Sequence, residues 1–187
     1  MTALSMPAGL RAALLLACGR GEGVALLAAD TDARQLALAR QSFRAMALCL
    51  PVFLLIHMAG GAPREAPPFL LLRELASFAL GWLGFAVLSH RLAQEMGRGA
   101  LWPRFIVLWN WCNLLQYLLL VAMLVPVLLG VPTIVAQTAW LVAIGWAVWL
   151  QWFATRLGLG LPGGQAALLV AADMAVGVVV LLVTRAG

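Results

Sequence analysis

From Phe105 to Thr155 the chain carries no Asp, Glu, Lys, Arg or His. A helix needs roughly 20 apolar residues to cross the hydrocarbon core of a bilayer. The run is therefore too long for one crossing and long enough for two. Gly130-Val131-Pro132 is its natural break, because Pro cannot continue a helix and Gly accepts a turn. This reads as an all-α, polytopic integral membrane protein. The composition agrees: 64% of residues are hydrophobic and 10% charged, against about 25% charged in an average globular domain.

The remaining spans follow from the charges and the breakers. Span one is expected at 41–60, between Arg44 and Arg64, with Pro51 kinking it and Gly60-Gly61-Ala62-Pro63 ending it. Pro67-Pro68 restarts the chain, and span two is expected at 69–89. Its Arg73 and Glu74 read as an interfacial, snorkelling pair, with a functional pair as the alternative. His90 to Pro103 reads as a polar loop, with a helical turn continuing span two as the alternative. Spans three and four are expected at 105–129 and 133–155. Arg156 to Gly164 forms a Gly/Pro-rich turn, and span five is expected at 165–184. The organisation is an N-terminal cytoplasmic or interfacial helical segment, 1–40, followed by a five-helix transmembrane bundle, 41–187.

Within the N-terminal segment, Arg11 to Leu27 is too polar to span and reads as an interfacial helix broken near Gly19 to Gly23. Leu15-Leu16-Ala17-Cys18-Gly19 has the form of a lipoprotein cleavage box. The uncharged stretch before it, Ala12 to Ala17, is shorter than the roughly 7–15 residues a signal peptide needs. Asp30-Thr31-Asp32 supplies N-cap oxygens for a helix that enters span one.

Every basic residue is Arg, which points to a GC-rich, bacterial genome. An N-inside arrangement puts Arg11, Arg20, Arg34, Arg40, Arg44, Arg91, Arg98, Arg104 and Arg156 in the cytoplasm. It leaves Arg64, Arg73 and Arg185 outside. The short loops let this asymmetry set the orientation, with the C-terminus outside a bacterial inner membrane. The same bias accounts for the net charge of +5 without a nucleic-acid partner. Trp102, Trp109, Trp149 and Trp152 would then form a cytoplasmic aromatic belt. The row Trp146, Trp149, Phe153 reads as packing or lipid contact.

Polar residues inside the spans are the candidate site. Asn110, Asn113 and Tyr117 share a helix face, within about 60° of one another at 100° per residue, and Gln116 flanks them. Gln151 lies in span four and Asp173 in span five, all in the cytoplasmic half. A carboxyl group at that depth costs roughly 2.5–3.5 kcal/mol on insertion scales, so Asp173 should turn into the bundle. Small residues on its face, Ala166 and Gly177 with Thr184, allow close helix approach. Asp173 is expected to be protonated or hydrogen-bonded to Asn113, Gln116 or Tyr117. The cluster reads either as interhelical glue or as a transport path. His57 reads as interfacial.

No HExxH, GxSxG or GxxxxGK[ST] occurs, nor a His pair for haem. No enzyme activity, catalytic residue, cofactor or metal site is expected. Cys18, Cys49 and Cys112 are scattered and suggest no disulfide framework. Five spans do not divide into two equal repeats, so a repeat-based transporter would need a dual-topology or oligomeric assembly.

Ser42-Phe43 with Pro51, Arg104-Phe105-Ile106-Val107-Leu108-Trp109-Asn110-Trp111 entering span three, and Gln151-Trp152-Phe153 ending span four resemble the Yip-type family of small five-span membrane proteins and its uncharacterised bacterial branch. The eukaryotic members' Asp-Leu-Tyr-Gly-Pro motif is absent, so their trafficking partners are not implied. The resemblance implies a five-span fold and a non-enzymatic role through association with lipid, another membrane protein or a second copy. The alternative is a small transporter or channel with its path around Asp173, Asn110, Asn113 and Tyr117.

Overall fold

The computed structural model describes residues 7–28, 31–59 and 68–186, with side chains over 7–28, 31–56 and 71–184. The chain is all-α, without a strand among the described residues. Its helices are α1 (Ala8–Ala17), α2 (Asp32–Ala59), α3 (Pro68–Glu95), α4 (Trp102–Ala122), α5 (Leu124–Leu128), α6 (Thr133–Leu159) and α7 (Gly163–Ala186). Five segments are long and apolar enough to cross a membrane: Asp32–Ile56, Leu71–Glu95, Gly99–Leu128, Thr133–Leu159 and Gly163–Thr184.

The helix ends follow from local chemistry. Thr31 Oγ1 accepts from the Arg34 N–H at 3.3 Å and so caps α2; Asp30 lies outside the described residues. Pro51 sits inside α2, which is continuous across it. Of the two readings of His90 to Pro103, the one with a helical continuation of span two is found, and the loop begins after Glu95. α3 runs on through Arg91 and Gln94 to Glu95, because these are good helix formers and the first breaker is Gly97, at φ +68°. Span three is interrupted where none was expected. Pro126 has no N–H to give to the Ala122 carbonyl and crowds it, so α4 stops at Ala122 and α5 begins at Leu124.

The expected turn forms at Gly130. Its φ is +69°, the Val131 N–H reaches back to the Pro126 carbonyl at 3.0 Å, and its own N–H reaches Val127 at 3.2 Å. This pair of bonds is the Schellman closure, which a residue without a Cβ adopts without strain. His57, Arg64 and the Gly60-Gly61-Ala62-Pro63 turn lie outside the described side chains.

α4 is the central helix. Phe105 through Cys112 are all buried, so this stretch has no lipid-facing side, as a helix apolar all round requires. α2, α6 and α1 pack directly along it, while α3 and α7 pack on each other. At the basic end of the bundle Arg104 closes the α4–α6 pair. Its Nε and Nη2 donate to the Gly158 carbonyl at 3.1 and 2.8 Å, and Nη2 reaches Leu157 at 3.3 Å. A cation thus satisfies the orphan carbonyls of α6 and sits at the negative end of its dipole.

The N-terminal segment is built into this end. Ala12, Ala13 and Leu16 of α1 and Leu27 beyond it are fully buried. Between them lies a 3-10 turn, Gly21–Leu27, folded back so that Gly23 rests on the Ala12 backbone. Gly9 touches Val107 and Trp111 of α4, and Gly21 touches Phe153 and Leu157 of α6. The Gln35 amide of α2 donates to the Leu27 carbonyl at 3.0 Å and accepts from the Arg104 N–H at 3.2 Å.

A Cβ at Gly9 would lie 2.4 Å from Trp111 Cδ1. Gly9→Val is therefore expected to lift α1 off α4 and speed tryptic cleavage after Arg20 in detergent by roughly tenfold, the effect of about 1.4 kcal/mol on a local opening equilibrium. Gly145→Val, where an added Cβ meets nothing within 4 Å, should leave the digestion rate unchanged.

Candidate functional site

The intramembrane polar residues separate into two groups. Asn110, fully buried, works as a joint between helices. Its Oδ1 accepts from Trp82 Nε1 of α3 at 2.9 Å, and its Nδ2 donates to Ser42 Oγ of α2 at 2.7 Å. Ser42 passes the chain on to the Ala39 carbonyl at 2.6 Å. Gln116, also buried, donates to the Ala147 carbonyl of α6 at 3.0 Å. Neither residue is in the lining of the cleft that Asp173 faces. Both are satisfied within the protein, as buried polar groups must be in hydrocarbon.

Asp173 faces a cavity. A cleft of about 350 Å³ lies between α3, α4 and α7, with Phe53 of α2 in its wall. Asp173, Asn113 and Tyr117 line it, together with Ser77 and Glu74 of α3 and Gly177 of α7. From Asp173 to Leu181, another lining residue, α7 advances about 12 Å. Glu74 belongs to the end of α3 remote from the basic end of the bundle, so the cleft joins mid-bundle to that opposite end.

The partners of Asp173 differ from those expected. Gln151 Nε2 and Trp109 Nε1 (3.3 Å) donate to its Oδ2. Oδ1 has no partner among the described residues. Asn113 is diverted to its own helix, its Nδ2 donating to the Trp109 carbonyl at 2.8 Å. Gln116 is committed to α6. Tyr117 packs beside the Phe53–Phe78 pair, at 6.3 Å from each ring. Four of the six candidate residues thus gather around the cleft or its carboxylate: Asp173, Asn113, Tyr117 and Gln151.

Trp109 and Trp82 are the residues that sequence reasoning missed. Trp109 is buried and points its indole N–H at Asp173; it is not part of an interfacial belt. The signal was present, since Trp109 adjoins Asn110 and precedes Asn113 by one turn on the same buried helix. Arg73 and Glu74 pair at 3.3 Å, about a quarter exposed, and Glu74 also lines the cleft. The row of Trp149 and Phe153 is packing: the rings stack at 5.3 Å beside Gly19 and Gly21. No group of three or more His, Cys, Asp or Glu able to hold a metal gathers among the described residues.

Asn110 and Asn113 should differ in what they contribute. At roughly 0.6 kcal/mol per interhelical bond, Asn110→Leu is expected to cost about 1 kcal/mol, seen as a lower midpoint in a dodecyl-sulfate unfolding titration. Asn113→Leu, whose bond closes on its own helix, should leave that midpoint within about 0.5 kcal/mol of the parent.

No protein-family model, curated protein or solved structure matches this chain.

Proposed function

We propose that this protein is a non-enzymatic, multi-pass membrane protein that admits a small solute to the cleft at Asp173, acting as a small transporter. One observation carries the reading. A carboxylate at the middle of a membrane bundle lines a cavity and keeps one oxygen without a partner among the described residues. A carboxylate serving only as glue would gain most by having both oxygens bonded, because an unsatisfied group is costly where water is excluded. The cleft's size also lies in the range of small-ligand sites. Asn113 and Ser77 add polar atoms to its wall, and the cavity approaches the bundle end opposite Arg91, Arg98 and Arg104. In a bacterial inner membrane with the N-terminus cytoplasmic, as the Arg asymmetry favours, the mouth near Glu74 would face outside.

A second reading, association with lipid or another membrane protein, rests on the Yip-type resemblance and on an apolar groove between α4 and α6. That groove is lined by Leu119, Met123, Val135 and Trp146. It explains no feature of Asp173.

The test is access. With Cys18, Cys49 and Cys112 changed to Ala, a cysteine introduced by Asn113→Cys should react with a membrane-impermeant methanethiosulfonate in proteoliposomes. A cysteine at Asn110 should not. Reaction from both faces supports transport, and reaction from one face alone supports a binding site without passage. Absence of reaction from either face would overturn the reading.

A further inference from the structure

The walls of the cleft say which chemistry it accepts. Phe53, Phe78 and Tyr117 form a triangle of rings, with Phe53 and Phe78 5.1 Å apart. Phe78 leads to Trp82 at 5.4 Å, and Trp82 to Trp109 at 5.0 Å. Trp109 ends the row on Asp173. All five rings line the same cavity. Successive planes are inclined by 45° (Phe78–Trp82) to 81° (Phe53–Tyr117). The rings make this wall aromatic and apolar.

The charges in the cleft narrow this further. Glu74 at one end is paired with Arg73. Asp173 at the other has no cationic partner among the described residues, only two neutral N–H donors on one oxygen. An anion brought here would meet a carboxylate of its own sign. A neutral apolar solute would leave Oδ1 unpartnered. A cation with an apolar body satisfies the carboxylate with its charge and the aromatic wall with its body, and any ring face turned to the charge adds to the attraction.

From this we infer that the ligand of the cleft is a small organic monocation, an alkyl- or arylammonium group carried on an apolar body, with its charge beside Asp173 and its body along the aromatic row. The inference rests on the proposed solute site and assigns its ligand class.

Radiolabelled benzyltrimethylammonium, measured by equilibrium dialysis on the full chain in detergent, is the probe. One site per chain is expected. Asp173→Asn keeps an acceptor for Trp109 and Gln151 but removes the charge, and should weaken binding by roughly tenfold or more. Tyr117→Leu keeps apolar bulk but removes a ring, and should weaken it by roughly fivefold. The uncharged isostere neopentylbenzene and the anion benzenesulfonate should not compete. Bound cation should slow thiol labelling at position 113, and unchanged labelling at that position in both variants certifies their fold. Equal competition by the neutral isostere, cation affinity indifferent to both variants, or no cation binding while position 113 still labels would each overturn the ligand class and leave the site reading intact. Loss of labelling at position 113 in the parent protein would instead remove the site itself.

Discussion

One amide ties this bundle together. Asn110 accepts a hydrogen bond from Trp82 of α3 and donates one to Ser42 of α2, from the stretch of α4 that is buried on all sides. In lipid the hydrophobic effect does not favour helix against helix, since acyl chains are as apolar as leucine. Contact must come from packing and from the few bonds that leave no polar atom unsatisfied. Asn110 on one flank of α4, Gln116 on Ala147 and Arg104 on the end of α6 are those bonds. Between them they fix the position of α2, α3 and α6 about the central helix.

The cleft is a consequence of what fills the space between helices. α3 approaches α4 through Phe78, Trp82 and Phe85, whose rings hold the two backbones apart. On its other side it approaches α7 closely, where Gly84 receives Val176. Large residues toward one neighbour and small residues toward the other leave an opening beside Gly81 and Gly177. Asp173 lines that opening while Gln151 and Trp109 both donate to its Oδ2.

The N-terminal segment is docked by one narrow face. α1 buries Gly9, Ala12, Ala13 and Leu16, the i, i+3, i+4, i+7 spacing of a helix stripe, and the 3-10 turn adds Gly23 and Leu27. Glycines at 9 and 23 permit backbone-close contact there, which a periodicity argument does not register. The Gln35 bridge and the Arg104 cap lie at the same end, so the segment, α2, α4 and α6 meet in one polar layer at the basic face of the bundle.

The sequence by itself determined the number and approximate limits of the spans, the Gly130 turn and the presence of costly polar groups in the bundle. Each is a local matter of transfer free energy, backbone stereochemistry or charge count. It also carried the interruption at Pro126 and the continuation of α3 past His90, which propensity explains once helix and breaker are weighed residue by residue. Only the tertiary structure decided which polar groups are joints and which face a cavity. Asn110 and Asn113 are one turn apart on one helix, with the same chemistry and nearly the same depth. They differ because Trp82 and Ser42 meet the first while the second is left beside an opening. That difference depends on the rotation and spacing of neighbouring helices, which are set by side chains distant in sequence.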